Sequence, residues 1–268
     1  MRIAILGRGR LGRGLAKALR RTDHEVTLTA GRAPRRAALS ADLVVLAVPD
    51  PALVAVAGDI AVSLRRRTAV VHCSGSLGPD VLDACRAAGA ATGAMHPLVS
   101  FADPQRPPAL EGTAFVIAGD GPAVKAARRL ARAVGARPVV APLHGAAYHA
   151  AAALSANGAA ALATVAVRLL EALGAPRRDA ERAIGALLRT VGENVERVGV
   201  PRALSGPVMR GDEGTVARHR EALAAVDDEA RRAYDAVAPA ILDCARRAGL
   251  TDERAAAVER ALRRRPKR

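Results

Sequence analysis

Three groups of residues in this 268-residue chain have types and spacings suited to chemistry. The first is Gly7-Arg8-Gly9-Arg10-Leu11-Gly12, a G-x-G-x-x-G run that follows the apolar stretch Ile3–Leu6 and opens a helical pattern at Leu11–Arg21. In that context each glycine has a task. Gly7 permits a tight turn, Gly9 lets a pyrophosphate approach the backbone, and Gly12 allows helix and strand to come close. The free N–H groups of the helix start favour an anion, and Arg8 and Arg10 add charge beside it. A glycine-rich turn without ligand is the alternative.

The second strand pattern ends Thr29-Ala30-Gly31-Arg32, followed by Arg35 and Arg36. A site for NAD usually carries an acid there, to bond the ribose 2′-hydroxyl. Arginine instead suits a 2′-phosphate through paired hydrogen bonds. Arg32 and Arg35 therefore point to NADP(H), against the alternative that they are surface charges of an arginine-rich chain. Val48 and Pro49 close the next strand pattern and are expected to flank the dinucleotide. Cys73, Ser74, Gly75 and Ser76 follow another strand, with Ser74 assigned to the cofactor and Ser76 to the substrate.

The second group holds proton chemistry. Hydride transfer to a carbonyl or imine needs a proton donor near the receiving atom. His149, Ala153 and Asn157 stand at i, i+4 and i+8, one face of an α-helix. His149 is the candidate acid/base and Asn157 the candidate donor to the substrate oxygen. His96, before Pro97 at the end of a strand pattern, is a further candidate. A capped helix-start histidine, a core asparagine and a loop histidine are the plainer readings. The third group is Arg210 and Asp212, in a Gly/Pro-rich loop, where Arg210 could clamp a carboxylate; a simple Arg–Asp turn interaction is its alternative. His219 is read as solvated. No Cys/His cluster or His-Glu-x-x-His pair suggests a metal.

The elements that position these groups alternate in the first half. Strands are predicted at Arg2–Leu6, Glu25–Thr29, Leu43–Val48, Ala69–His72, Ala90–Met95, Thr113–Ala118 and Pro138–Ala141. Helical patterns at 12–21, 51–64 and 122–134 lie between them. Such βαβ spacing implies a doubly wound, mostly parallel α/β sheet. Beyond Pro142 only helical patterns remain, at 144–173, 177–198, 213–225, 227–248 and 252–265. A dinucleotide-binding domain over 1–142 and an all-α domain over 143–268 are expected.

Basic residues outnumber acidic ones, 41 to 26, for a net charge of +15. That charge attracts anions in general. No docking module or aromatic platform for bases accompanies it, and aromatic residues are 1% of the chain, so specific nucleic-acid binding is not expected. The core must be built mainly from Ala, Val, Leu and Ile. Cys73, Cys85 and Cys244 are few and scattered, which fits a reducing compartment. The opening apolar run is too short for a signal peptide. The uncharged stretch Ala150–Val167 reads as a buried helix in a soluble protein. A cytoplasmic protein is expected.

These residues resemble the superfamily of 6-phosphogluconate dehydrogenase and β-hydroxyacid dehydrogenases, which includes ketopantoate reductase and pyrroline-5-carboxylate reductase. A closer resemblance is to a bacterial Rossmann-like oxidoreductase family whose helical half is a domain of unknown function. It rests on His96-Pro97-Leu98-Val99-Ser100-Phe101, on Tyr148-His149 to Asn157, and on Ser205-Gly206-Pro207 with Arg210-Gly211-Asp212. The resemblance implies a homodimer formed through the helical domain. It also implies an NADP(H)-dependent oxidoreductase acting on a small oxo or imino acid. One departure is clear: Ala153 stands where the dehydrogenases carry a lysine paired with the asparagine. A non-catalytic NADP-binding sensor or scaffold therefore stays open beside the enzyme.

Overall fold

The computed structural model describes residues 1–31, 38 and 40–264. The chain forms two compact units, Met1–Leu154 and Ser155–Arg268.

In the first unit, the strand β1 (Arg2–Leu6) is apolar at consecutive positions because both of its faces are covered. Ile3 and Ile5 enter one core, and Ala4 and Leu6 enter another, as the period of two in a strand requires. The chain continues through α1 (Arg10–Leu19), β2 (Glu25–Thr29), β3 (Leu43–Leu46), α2 (Leu53–Ala61), β4 (Ala69–His72), α3 (Asp83–Ala87) and β5 (Ala91–Pro97). It then runs through β6 (Ala114–Gly119), α4 (Gly121–Ala133), β7 (Arg137–Val140) and α5 (Ala146–Ala153). Leu15 and Leu19 of α1 and Leu130 of α4 fill the first core, against Val45, Val71, Met95 and Phe115. Leu53, Val56 and Ile60 of α2 and Cys85 of α3 fill the second.

The seven strands lie in the order β2-β1-β3-β4-β5-β6-β7. Neighbours are parallel except β5 and β6, which pair antiparallel. The chain leaves β1 to one side for β2 and returns to the other side for β3. The carboxyl ends of β1 and β3 are therefore the topological switch point, where such sheets open a crevice for ligands. The segment after β5 is fastened to α1: a Cβ on Gly14 would stand 2.8 Å from Cε1 of Phe101. Only a glycine lets that ring lie on the helix.

The second unit is helical among its described residues. It holds α6 (Ala159–Ala172), α7 (Arg177–Val198), α8 (Glu213–Val226), α9 (Asp228–Arg247) and α10 (Asp252–Arg263). Val216, Ala238, Leu242, Ala255 and Val258 form its core. Arg220 is buried there. Its guanidinium donates to both carboxylate oxygens of Asp235, at 2.7 and 3.0 Å, and to the carbonyls of Ala261 and Arg264 at the end of α10.

Two expectations need correction. Leu154–Gly158 is a π-helical turn, so the i, i+4, i+8 alignment of His149, Ala153 and Asn157 does not hold through it, because each π turn takes up an extra residue. The expected buried helix is also not buried within this chain. Ala146–Ala172 is 27 residues long with a mean hydropathy of 1.6, yet only 6% of its most apolar window is covered. Its sequence records apolarity, which does not say what covers it. Length and composition alone would also let this helix cross a membrane.

Candidate functional site

The glycine turn has the form that its sequence implies. Gly7 has φ +123°, and a Cβ there would stand 2.1 Å from the carbonyl oxygen of Ala47. A Cβ on Gly12 would stand 2.0 Å from the carbonyl oxygen of Gly7, so α1 begins hard against the turn. Gly9, the N-cap of α1, faces open space. No side chain caps α1 and no acid occupies its first turn. The N–H groups of that turn are left for an anion, so these residues fit the diphosphate of a dinucleotide.

Arg8 and Arg10 are exposed beside the turn. The Arg8 carbonyl accepts from Arg13 Nε at 2.8 Å, and Arg10 reaches toward the Ala102 carbonyl at 3.4 Å. Leu11 packs against the first core. Arg32 and Arg35 lie outside the described residues. Val48 and Pro49 follow β3 at the same sheet edge, and Val48 lies against Gly31, where a Cβ would approach within 2.8 Å.

Ser74 and Ser76 follow β4. Ser74 Oγ donates to Asp50 Oδ2 at 2.9 Å, and Ser76 Oγ donates to the same oxygen. Asp50, directly after Val48-Pro49, thus organises the loop. His72, the last residue of β4, holds it from beneath. It is wholly buried; its Nδ1 accepts from the Ser74 N–H at 3.2 Å, which leaves Nε2–H to donate to the Gly78 carbonyl at 2.9 Å. Both ring nitrogens are committed to the neutral form, and burial pushes the pKa of His72 below the usual histidine range.

His96 ends β5, with its ring over Gly75, where a Cβ would stand 2.8 Å from Cε1. Its Nδ1 lies 2.8 Å from Tyr148 Oη, with the two rings edge to face at 84°. The ring of His149, the next residue, is 6.2 Å away. Burial and then the neighbouring His149 lower the pKa of His96. Burial raises that of Tyr148. At neutral pH the pair therefore holds a neutral imidazole against an intact phenol.

The structure thus gathers the glycine turn, Val48, Pro49, Ser74, Ser76, His96 and His149 in the first unit. It adds Asp50, His72 and Tyr148, which sequence reasoning passed over. Their signals were present: Asp50 follows a strand-ending proline, His72 closes a buried strand, and Tyr148 precedes His149. Asn157, Arg210 and Asp212 belong to the second unit. Asn157 is exposed in the π turn. Arg210 is exposed, and Asp212 caps α8 by accepting from the Thr215 N–H at 2.9 Å, which holds its carboxyl below the usual range. His219 is exposed, 3.4 Å from Tyr234 Oη. Among the described residues no three His, Cys, Asp or Glu side chains gather as metal ligands.

Comparison with known proteins agrees with this architecture. Residues 28–97 match the Rossmann-like domain family, and residues 113–241 match a domain of unknown function, DUF2520. No curated protein sequence matches the chain. Among solved structures, a Thermotoga maritima protein is 22% identical, with a TM-score of 0.66 over 92% of this chain and 99% of that one. A candidate NADP oxidoreductase from Bacteroides fragilis is 21% identical, with a TM-score of 0.68 over 90% of this chain and 98% of its own. A pyrroline-5-carboxylate reductase from Coxiella burnetii is 17% identical, with a TM-score of 0.58 over 93% of this chain and 98% of its own. At such identities the likeness establishes the fold. The chain joins a Rossmann-like domain to a DUF2520 domain, as the resemblance in its sequence implied.

Proposed function

We propose that this chain, a Rossmann-like domain followed by a DUF2520 domain, is an NADP(H)-dependent reductase or dehydrogenase acting on the C=O or C=N group of a small oxo or imino acid. One observation carries the reading. The uncapped start of α1 over Gly9 and the His96–Tyr148 pair lie at the same edge of one sheet, beyond the carboxyl ends of β1 and β5. The structural neighbours named as NADP oxidoreductase and pyrroline-5-carboxylate reductase support the reaction class.

In this reading the N–H groups at Gly9–Leu11 hold the diphosphate. Val48 and Pro49 line its path, and Asp50 with Ser74 and Ser76 shapes the loop beside the reacting end. Arg32 and Arg35 select the 2′-phosphate. The reduced nicotinamide, when bound, supplies a hydride. His96 and His149 lie where the accompanying proton is handled, and Asn157, Arg210 and Asp212 serve the substrate. Ala153 favours a second reading, an NADP-binding sensor without turnover, since the lysine used by related dehydrogenases is missing.

Calorimetric titration with NADPH and NADH tests the cofactor. Binding of NADPH at least tenfold tighter than NADH supports the assignment, and no binding of either overturns it. Oxidation of NADPH with pyruvate, ketopantoate or 1-pyrroline separates the enzyme from the sensor.

We also propose a cytoplasmic homodimer. The uncovered helix Ala146–Ala172 and the exposed Leu187, Val191 and Val195 of α7 supply apolar surface for a second copy. Cys73, Cys85 and Cys244 are free thiols, in keeping with a reducing compartment.

A further inference from the structure

The proton donor for this chemistry is not settled by the histidines alone. His72 is wholly buried with both ring nitrogens bound to backbone. The Ser74 and Ser76 hydroxyls are both given to Asp50. Position 153, where related dehydrogenases place a lysine, is alanine. His149 is exposed, and it meets His96 only ring to ring, at 6.2 Å. Tyr148 is different. It is half-buried, and its hydroxyl is 2.8 Å from a ring nitrogen of His96, which is itself held over Gly75 at the carboxyl edge of the sheet.

We propose that Tyr148 is the catalytic residue that delivers the proton, and that His96 is the positioning residue that reloads it. The proposal rests on the reductase reading above. The carbon of the C=O or C=N group accepts the hydride from the reduced dinucleotide, and its π electrons move onto oxygen or nitrogen. The Tyr148 O–H bond breaks as that oxygen or nitrogen takes the proton, giving an alcohol or amine and a phenolate. The phenolate takes the proton on His96 Nδ1, while Nε2 takes one from solvent. Tyr148 then holds its proton again, and His96, now protonated on Nε2, returns to the Nδ1–H form by exchange with solvent. The reverse reaction runs the same path backward, with Tyr148 as base once ionised.

The state of the resting pair suits this task. An intact phenol is a donor, and a neutral imidazole carrying its proton on Nδ1 turns the phenolic hydrogen away from the ring, toward a substrate. Three titratable neighbours bear on the pair: His149 from α5, Asp50 from the loop after β3, and His72 from β4. His149 and His72 disfavour a charge on His96, and Asp50 favours one.

The test begins without any cofactor. The chain has two tyrosines and no tryptophan, so phenolate absorbance reports Tyr148 and Tyr234 alone. Subtracting the titration of Y148F isolates Tyr148. If His96 donates to the phenolate, H96L raises the Tyr148 pKa by roughly half a unit or more, the worth of one such bond. H96N, whose amide replaces Nδ1–H, restores it, and H149Q leaves it in place. A Tyr148 titration that H96L does not move overturns the relay.

With NADPH and whichever of pyruvate or 1-pyrroline is reduced, Y148F is expected to lower kcat about 100-fold or more, the usual contribution of a general acid. NADPH affinity should stay within twofold. Y148F retaining more than about a tenth of wild-type kcat overturns Tyr148 as donor. Failure of the wild-type protein to bind NADPH removes the reductase reading and this proposal together. NADPH binding with an undisturbed Y148F removes the proposal alone.

Discussion

The imidazole of His96 rests on the backbone of Gly75, so close that a Cβ at Gly75 would stand 2.8 Å from Cε1 and 2.9 Å from Nδ1. The loop after β4 and the end of β5 thus share one surface, and the absent side chain of Gly75 sets the height of the ring. Gly75→Ala is expected to push His96 aside and part it from Tyr148. The obstacle is the tip of one side chain, so the fold should tolerate the change. Turnover should fall roughly tenfold to 100-fold through misplacement, with NADPH affinity unchanged. Steady-state kinetics beside an NADPH titration would check this.

The three glycines of the turn should separate in their effects. Gly9 is the N-cap of α1, in extended backbone and facing open space. Gly9→Ser supplies a side-chain cap, which should leave stability equal or raise it by a few tenths of a kcal/mol. The same hydroxyl occupies an N–H that an anion would use, so NADPH binding should weaken about tenfold or more. Gly7→Ala, with φ +123° and a Cβ 2.1 Å from the Ala47 oxygen, should instead cost roughly 3 kcal/mol or more of stability. Thermal melts paired with calorimetry would distinguish the two.

Stability should depend on pH through His72. Burial depresses its folded pKa, so the unfolded chain accepts a proton that the folded chain resists. The stabilisation is whole above the ordinary histidine pKa of about 6.5 and is lost as pH falls below it toward the folded value. His96, lowered in the same sense, adds to the slope. Melting temperature should therefore drop from neutral toward acid pH, and His72→Gln should flatten that drop while lowering the neutral value.

Much of this architecture is legible along the chain, and its failures have physical causes. Uninterrupted apolar runs such as Leu43–Leu46 announce strands covered on both faces, and the glycine run announces the turn. The reversal at β6 is not announced. It follows from the connection, since the segment 98–113 carries no helix to cross the sheet, whereas α4 returns the chain for a parallel β7. The His96–Tyr148 contact joins residues 52 apart, a pairing that neither periodicity nor motif spacing encodes. Asp50 is similar: its identity is plain, but only the fold brings two serine hydroxyls to one of its oxygens.

In the second unit, Arg220 joins α8 to Asp235 of α9 and to the last carbonyls of α10. Arg220→Ala leaves the carbonyls of Ala261 and Arg264 without this donor and leaves the half-buried Asp235 to Arg231 alone. A loss of about 1–3 kcal/mol is expected, the cost of leaving buried acceptors unpaired, and denaturant unfolding would measure it.

The proposed dimer predicts a state that surface charge can break. Leu187 and Val191 are exposed one helical turn apart on α7. Leu187→Glu with Val191→Glu should convert a dimer to a monomer in analytical ultracentrifugation, with the helical content kept. A wild-type chain that sediments as a monomer at micromolar concentration would contradict the dimer.

The seat of Phe101 on Gly14 has a mechanical meaning. The stretch 97–101 runs from the histidine at the end of β5 to a ring pinned on the helix whose first turn faces the diphosphate position. It is a short strut with one foot on each. A side chain at position 14 would push Phe101 off α1 and, through this short segment, disturb the backbone that carries His96, so a single methyl on a helix reaches a ring at the end of a neighbouring strand.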